Sequence, residues 1–280
     1  MRFASYVSGG AVTWGEEVDG LLFDLGPSGK NLAPSLKDVI AKGISFDSLD
    51  RAGAPTVSVD EVEFLPVIVD PGKIICIGVN YRTHQEETGK QAPTVPTVFT
   101  RFADSQMGHQ QAAVRPISTT QFDYEGELAL VIGQPAHHVA EEDAWNAIAG
   151  YAPYNDFSVR DWQRASTQWT PGKNFPSTGA FGPYFTPATD IEDVTALHLE
   201  TRVNGEIRQS APVADLVFTI PQLIAHVTGF TPLSPGDVIV TGTPGGVGLF
   251  MNPPALLSDG DIVEVDITGL GLLSNRVVQA

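Results

Sequence analysis

Asp123-Tyr124-Glu125-Gly126-Glu127-Leu128-Ala129-Leu130-Val131-Ile132-Gly133 joins an acidic opening to an apolar run. Leu128–Ile132 is short, apolar and partly β-branched, the texture of a buried strand. A strand sends alternate side chains to one face, so Glu125 and Glu127 point the same way. They stand at the mouth of a strand that has to be buried, where two adjacent carboxylates repel unless a cation or a proton lies between them. A hard divalent cation with oxygen ligands relieves that repulsion; a solvated strand end relieves it too. The stretch predicts a sheet protein and raises a candidate metal site.

The flanking sequence continues in strands and loops. Ile74–Val79 is a second buried strand by the same criteria. Leu197–Val203 alternates, with Leu197, Leu199, Thr201 and Val203 on one face, and Asn204-Gly205 then turns the chain into a hairpin that resumes at Ile207. Asp237–Val240 and Asp261–Ile267 read as further strands. Near the amino terminus Met1–Val7, Ala11–Trp14 and Leu21–Leu25 predict small antiparallel strands. Helices are few: Leu32–Ile44, opened by Pro34-Ser35 and ended at Gly43, then Glu142–Ala149, Val159–Arg164 and Ile220–Val227. The turn-rich stretch Phe64-Leu65-Pro66 to Asp70-Pro71-Gly72 divides a small β-rich unit, residues 1–70, from the main domain, residues 71–280. The fold class expected is mixed α/β and β-rich.

The chain carries 16 Lys and Arg against 33 Asp and Glu, a net charge of −17. Such a surface repels phosphate backbones, which argues against nucleic acid as a partner. No apolar stretch approaches the roughly 18 residues that a membrane span requires. Met1–Tyr6 lacks the apolar core of a signal peptide, so the expected compartment is the cytoplasm. Cys76, the only cysteine, lies in the apolar run Ile74-Ile75-Cys76-Ile77 and can form no intrachain disulfide.

Other segments carry candidate chemistry. Asp156, in Tyr154-Asn155-Asp156-Phe157-Ser158-Val159-Arg160-Asp161-Trp162-Gln163, is either an N-cap or the third carboxylate of a metal site. Asp156, Arg160 and Gln163 recur at spacings of four and three and share one face if that segment is helical, which suits a metal with an acid substrate, or an exposed salt bridge. His84 and Glu87 are three apart, close enough on a helical turn for the carboxylate to orient the imidazole as a general base. Lys173 is the one charge in Trp169-Thr170-Pro171-Gly172-Lys173-Asn174-Phe175, a candidate for an anion or a carbonyl oxygen, or else a solvated loop lysine. Thr241-Gly242-Thr243-Pro244-Gly245-Gly246-Val247-Gly248 lacks the Gly-Lys-Ser/Thr of a phosphate loop; it is an oxyanion-holding loop or a tight turn. His137-His138 has no matching third ligand and reads as surface.

Taken in order, Asn80-Tyr81…His84…Glu87, Asp123-Tyr124-Glu125-x-Glu127-Leu128, Asn155-Asp156…Arg160…Gln163, Gly172-Lys173-x-Phe175, Gly182-Pro183 and Thr241-Gly242-Thr243-Pro244-x-Gly246-Val247-Gly248 resemble the fumarylacetoacetate hydrolase family, from Lys73 to Val277. The resemblance implies a mixed β-roll core with a small amino-terminal β-rich domain, usually in a homodimer. It implies Mg²⁺ or Mn²⁺ on Glu125, Glu127 and Asp156, a water-activating dyad of His84 and Glu87 on a lid segment, and Lys173, Arg160, Gln163, Tyr81 and Thr243 against a small oxo-acid. Where many relatives carry an aspartate after the phenylalanine of the lysine segment, this chain has Pro176. The reading that follows is hydrolysis of a C–C bond in an acylpyruvate-like acid. The alternatives are isomerisation or decarboxylation of a 2-oxo or 2-hydroxy-diene dioate in aromatic catabolism, or decarboxylation of oxaloacetate.

Overall fold

The computed structural model describes residues 1–89 and 93–280, and it is rich in strand with few helices. Arg2–Ser8 and Ala11–Val18 form a hairpin, with Ser8 paired to Ala11 across Gly9-Gly10, both at positive φ. This is the left-handed turn that a two-residue hairpin loop requires. Leu21–Asp24, Thr56–Ser58 and Glu63–Phe64 complete a five-stranded antiparallel sheet. Ser35 caps the helix Leu36–Ala41 by accepting from the Asp38 N–H. That helix is shorter than the Leu32–Ile44 expected from periodicity, because the Ser35 cap sets its start and only Leu36, Val39 and Ile40 face the core.

The central sheet has eight strands, seven in the order Thr97–Arg101, Ile74–Gly78, Val238–Val240, Gly126–Ile132, Ile148–Asp156, Gly179–Phe181, Gln106–Met107. Its pairings are mixed. Ile74–Gly78 runs parallel to Val238–Val240, whereas Gly126–Ile132 runs antiparallel to both of its neighbours. Alternation along the strands sorts the side chains into two cores. Leu128, Leu130, Ile132, Ile75 and Ile77 pack toward the sheet built on His198–Val203, Ile262–Ile267 and Gly271–Gln279, and toward the helix Ile220–Phe230. Ala129, Val131, Ile74, Cys76, Val238 and Val240 pack toward Phe3, Trp14, Leu36 and Val39 of the amino-terminal sheet and helix. Cys76 is buried, and burial pushes its thiol well above the usual range. No helix among the described residues is long and apolar enough to cross a membrane.

Two local expectations change. Glu141–Ala147 is a 3-10 helix, and Ile148 already begins a strand of the central sheet, so pairing with Gly126–Ile132 overrides the helical pattern of Glu142–Ala149. Asp156 ends that strand. The N-cap of the short helix Arg160–Gln163 is Val159, which makes no side-chain cap bond, so Asp156 does not act as a cap.

Asn80 joins three segments at the sheet edge that faces the site. Its Nδ2 donates to the Thr241 and Phe218 carbonyls at 2.8 and 3.1 Å, and its Oδ1 accepts from the Phe218 N–H at 2.8 Å. Asn80 is fully buried, so no water replaces these bonds. Asn80→Ala is expected to destabilise the protein by about 2–4 kcal/mol, the cost of orphaning several buried groups. Urea unfolding checks this as a lowered midpoint at unchanged m-value.

Candidate functional site

Paired strand ends bring the three carboxylates together. Glu127 stands opposite Tyr154 in the antiparallel ladder, and one step beyond it the Asp156 N–H donates to the Glu125 carbonyl at 2.8 Å. Glu125, Glu127 and Asp156 therefore project from the same face of adjacent strands. An oxygen of each lies within 4.8 Å of the others, and all three residues are buried. Gly126, between the two glutamates, faces the opposite way, and a Cβ there would sit 2.0 Å from Thr201 Oγ1. The glycine of Glu-Gly-Glu is thus a packing requirement that lets the strand lie flat against its neighbour.

Three buried cations surround this nest. Lys173 Nζ donates to Glu125 Oε2 and Asp156 Oδ2, each at 2.7 Å. Arg160 donates from Nη1 to Glu125 Oε1 at 2.5 Å and from Nε to Asp123 Oδ2 at 2.8 Å. Arg101 pairs with Asp156, and its Nη2 donates to Thr178 Oγ1 at 2.6 Å. Glu127 has no such partner among the described residues; its Oε2 accepts the Gly242 N–H at 2.5 Å.

The titration of the groups follows this division. Burial alone would raise the Glu125 carboxyl, but Lys173 and then Arg160 outweigh it and hold it below the ordinary carboxylate range. Burial first, then Asp156 and Glu125, push Glu127 well above its ordinary value. Burial would lower the Lys173 ammonium, and the neighbouring Asp156 and Glu125 more than reverse that, so it stays charged. With Asp123 included, four buried carboxylates face three buried cations, and Glu127 is the excess acid, the one that burial and its neighbours favour in the protonated form. Three crowded carboxylate oxygens, one of them lacking a countercharge, form a donor set that can hold a hard divalent cation.

The opposite wall is the helix Arg82–Thr88, which follows the strand Ile74–Gly78 through Val79 at φ 56°, a rare conformation for a β-branched residue. His84 Nδ1 lies 2.5 Å from Glu87 Oε1, and the Phe250 ring packs edge-on at 6.0 Å from the imidazole. A cavity of about 100 Å³ opens between the walls, lined by His84, Glu125, Glu127, Arg160, Gln163 and Lys173. Lys173, expected to be either a ligand group or a solvated lysine, is buried in the wall.

The glycine-rich segment does something that neither sequence reading foresaw. Its N–H groups hold the protein's own carboxylates: Gly242 binds Glu127, Gly246 binds Glu87 Oε2 at 2.8 Å, and Gly248 and Leu249 bind Asp123 at 2.9 and 3.0 Å. Thr243 lines the cavity, but its hydroxyl donates to the Gly126 carbonyl at 2.9 Å and accepts from Gln209 at 2.7 Å. Tyr81 lies in the apolar core outside the cavity wall, with its buried hydroxyl unpartnered. His137 and His138 stack on each other at 3.9 Å on the surface.

Sequence reasoning passed over Asp123 and Arg101. Asp123 has the same strand parity as Glu125 and Glu127, and Arg101 is one of only 16 basic residues, the scarcity that singled out Lys173.

Residues 73–278 match the family model described as fumarylacetoacetate hydrolase C-terminal. A mitochondrial oxaloacetate tautomerase of Rattus norvegicus is 36% identical over 266 residues, spanning 93% of this chain and 85% of that one. An oxaloacetate tautomerase of Bacillus subtilis is 40% identical over 232 residues, spanning 81% and 77%. Among solved structures, a fumarylacetoacetate hydrolase from Exiguobacterium antarcticum superposes over 100% of both chains with a TM-score of 0.89 at 34% identity. A maleylpyruvate hydrolase from Sphingobium, solved in complex with manganese(II) ion and pyruvate, does so over 100% of both chains with a TM-score of 0.82 at 26% identity.

Glu127 gives the test of the nest. Its raised value means that the metal-free fold gains stability that is fully present below the ordinary 4.5 and lost as pH rises through the raised one. Glu127→Gln is therefore expected to melt above the wild type in chelator at neutral pH, with the difference closing toward pH 4.5. Mg²⁺ or Mn²⁺ at about a hundred times its Kd is expected to add about 2.7 kcal/mol to the wild type and nothing to the variant. Calorimetric melting with and without metal measures both effects.

Proposed function

The chain belongs to the fumarylacetoacetate hydrolase family, and on that premise we propose that it interconverts the keto and enol forms of a short 2-oxo acid of the oxaloacetate type. The observation that carries this reading is one small cavity with a positioned imidazole, a buried ammonium and two of the nest's three carboxylates in its wall. Glu125, Glu127 and Asp156 would hold the divalent cation, Mg²⁺ or Mn²⁺. Bound there, such an ion would supply Lewis-acid charge stabilisation to an oxo-acid.

The chain's own groups handle the proton. Glu87 accepts from His84 Nδ1–H and is itself fixed by the Gly246 N–H, so the imidazole is oriented with Nε2 free to act as base. His84 Nε2 takes a proton from the carbon beside the substrate carbonyl; the C–H electron pair becomes the new C=C bond, and the carbonyl π pair moves onto the oxygen. The same nitrogen returns the proton to that oxygen, giving the enol, or to carbon in the reverse direction. The Lys173 ammonium, held charged by Glu125 and Asp156, stabilises the oxygen as negative charge develops on it. Phe250 and Trp169 wall the cavity and limit the water around the base.

The His84–Glu87 contact favours a second reading as well. With a water between Nε2 and the distal carbonyl of an acylpyruvate, the same dyad makes the attacking hydroxide, and the C–C bond breaks to an enolate. Two of the solved neighbours bear hydrolase names. Decarboxylation or double-bond isomerisation of an oxo-dioate uses the enolate without that water.

Wild-type protein with Mg²⁺ is expected to speed equilibration of oxaloacetate's ultraviolet enol absorbance. His84→Ala is expected to lower kcat by about 10²- to 10⁴-fold while the metal-induced melting shift persists. Cleavage of acetylpyruvate that vanishes in His84→Ala, with oxaloacetate untouched, would replace the tautomerase reading by the hydrolase one. Undiminished turnover in His84→Ala would remove this residue from the mechanism.

A further inference from the structure

The cations deep in the site are committed to the protein's own acids. Arg101 is held by Asp156, Arg160 by Asp123 and Glu125, and Lys173 by Glu125 and Asp156. An incoming anion meets none of them as a free charge. Arg164 differs. It lines the same cavity and is exposed to solvent. Its Nη2 donates to Gln121 Oε1 at 2.6 Å and its Nε to the Arg160 carbonyl at 3.2 Å. Both acceptors are neutral, and no carboxylate pairs with Arg164 among the described residues. Two bonds thus orient the guanidinium and leave its charge uncompensated.

The backbone puts Arg164 on the same cavity as the deep groups. Arg160 opens the short helix that ends at Gln163, and Arg164 follows as its C-cap in helical conformation, φ −94° and ψ −1°. Residues four apart share a helix face and are separated by a rise of about 6 Å. The rest of the outer wall, Phe99, Trp169, Leu249 and Phe250, is apolar and carries no charge to tell a dianion from a monoanion. On a chain of net charge −17, a dianion is repelled in the encounter unless the cavity mouth presents a local positive group.

We propose that Arg164 binds the remote carboxylate of a dicarboxylic 2-oxo acid and so makes the site select dianionic over monoanionic substrates. The assignment rests on the oxo-acid reading above and adds its substrate class. Pyruvate and oxaloacetate share the carboxylate–carbonyl end that enters the deep site, and they differ in the second carboxylate that Arg164 would receive through a charge-assisted fork.

The test is calorimetric binding of oxaloacetate, 2-oxoglutarate and pyruvate to the Mg²⁺-loaded protein, as wild type, Arg164→Gln and Arg164→Lys. The wild type is expected to bind both diacids more tightly than pyruvate. Arg164→Gln is expected to weaken diacid binding by about tenfold or more and pyruvate by less than about twofold, with Arg164→Lys between. The side chain is exposed, so the variants are expected to melt with the wild type. Equal weakening of all three ligands, unchanged diacid binding, or no preference for diacids in the wild type would overturn the assignment. Arg164-dependent diacid binding without any enolisation of oxaloacetate would instead fail the proposed reaction and leave the assignment standing.

Discussion

Carboxylate crowding is the constraint to which the rest of the molecule answers. Glu125, Glu127 and Asp156 share one face at the ends of two hydrogen-bonded strands, within 4.8 Å and away from water. In that setting each ionised carboxylate raises the cost of the next. The surrounding architecture compensates in a graded way, two of the three receiving a lysine or arginine and the third only a backbone N–H. The asymmetry leaves the excess acid, Glu127, lining the cavity that His84 and Lys173 also reach.

The glycine-rich loop after Val238–Val240 couples the two halves of the site. Successive N–H groups reach the nest through Glu127, the His84 imidazole through Glu87, and Arg160 through Asp123. Gly242, at φ +107°, takes a backbone conformation that a side chain would oppose, and a Cβ there would stand 2.7 Å from Asn80 Cβ. The loop behaves as a rigid strap between groups whose relative position decides the chemistry, so its glycines serve backbone donation more than chain flexibility.

Much of this was legible in the chain. The parity of Glu125 and Glu127 on an apolar strand, the three-residue step from His84 to Glu87, and the hairpin at Asn204-Gly205 rest on local geometry, and the structure has each of them. What stayed hidden needed long-range pairing. The Glu142–Ala149 pattern is helical until Ile148 finds its partner Ile132 in the sheet. Asp156 looks like a cap until the register places it across from Glu125. Arg101 is 55 residues from Asp156, and no spacing rule connects them. The Thr243 hydroxyl looks available only while Gln209, from another sheet, is out of view.

Arg101, Arg160 and Lys173 also bear on the order in which the protein is made. Many small metal sites assemble only when the ion gathers their ligands, so that folding waits for the metal. Here the three carboxylates are fixed by a strand ladder, and the fold brings its own positive charges close to matching them. Such a chain can complete its structure on the ribosome's timetable, and a divalent cation that the nest can hold would enter a site already formed. Removal of such a cation would then empty the site without unfolding the chain, and its return would refill the site without refolding.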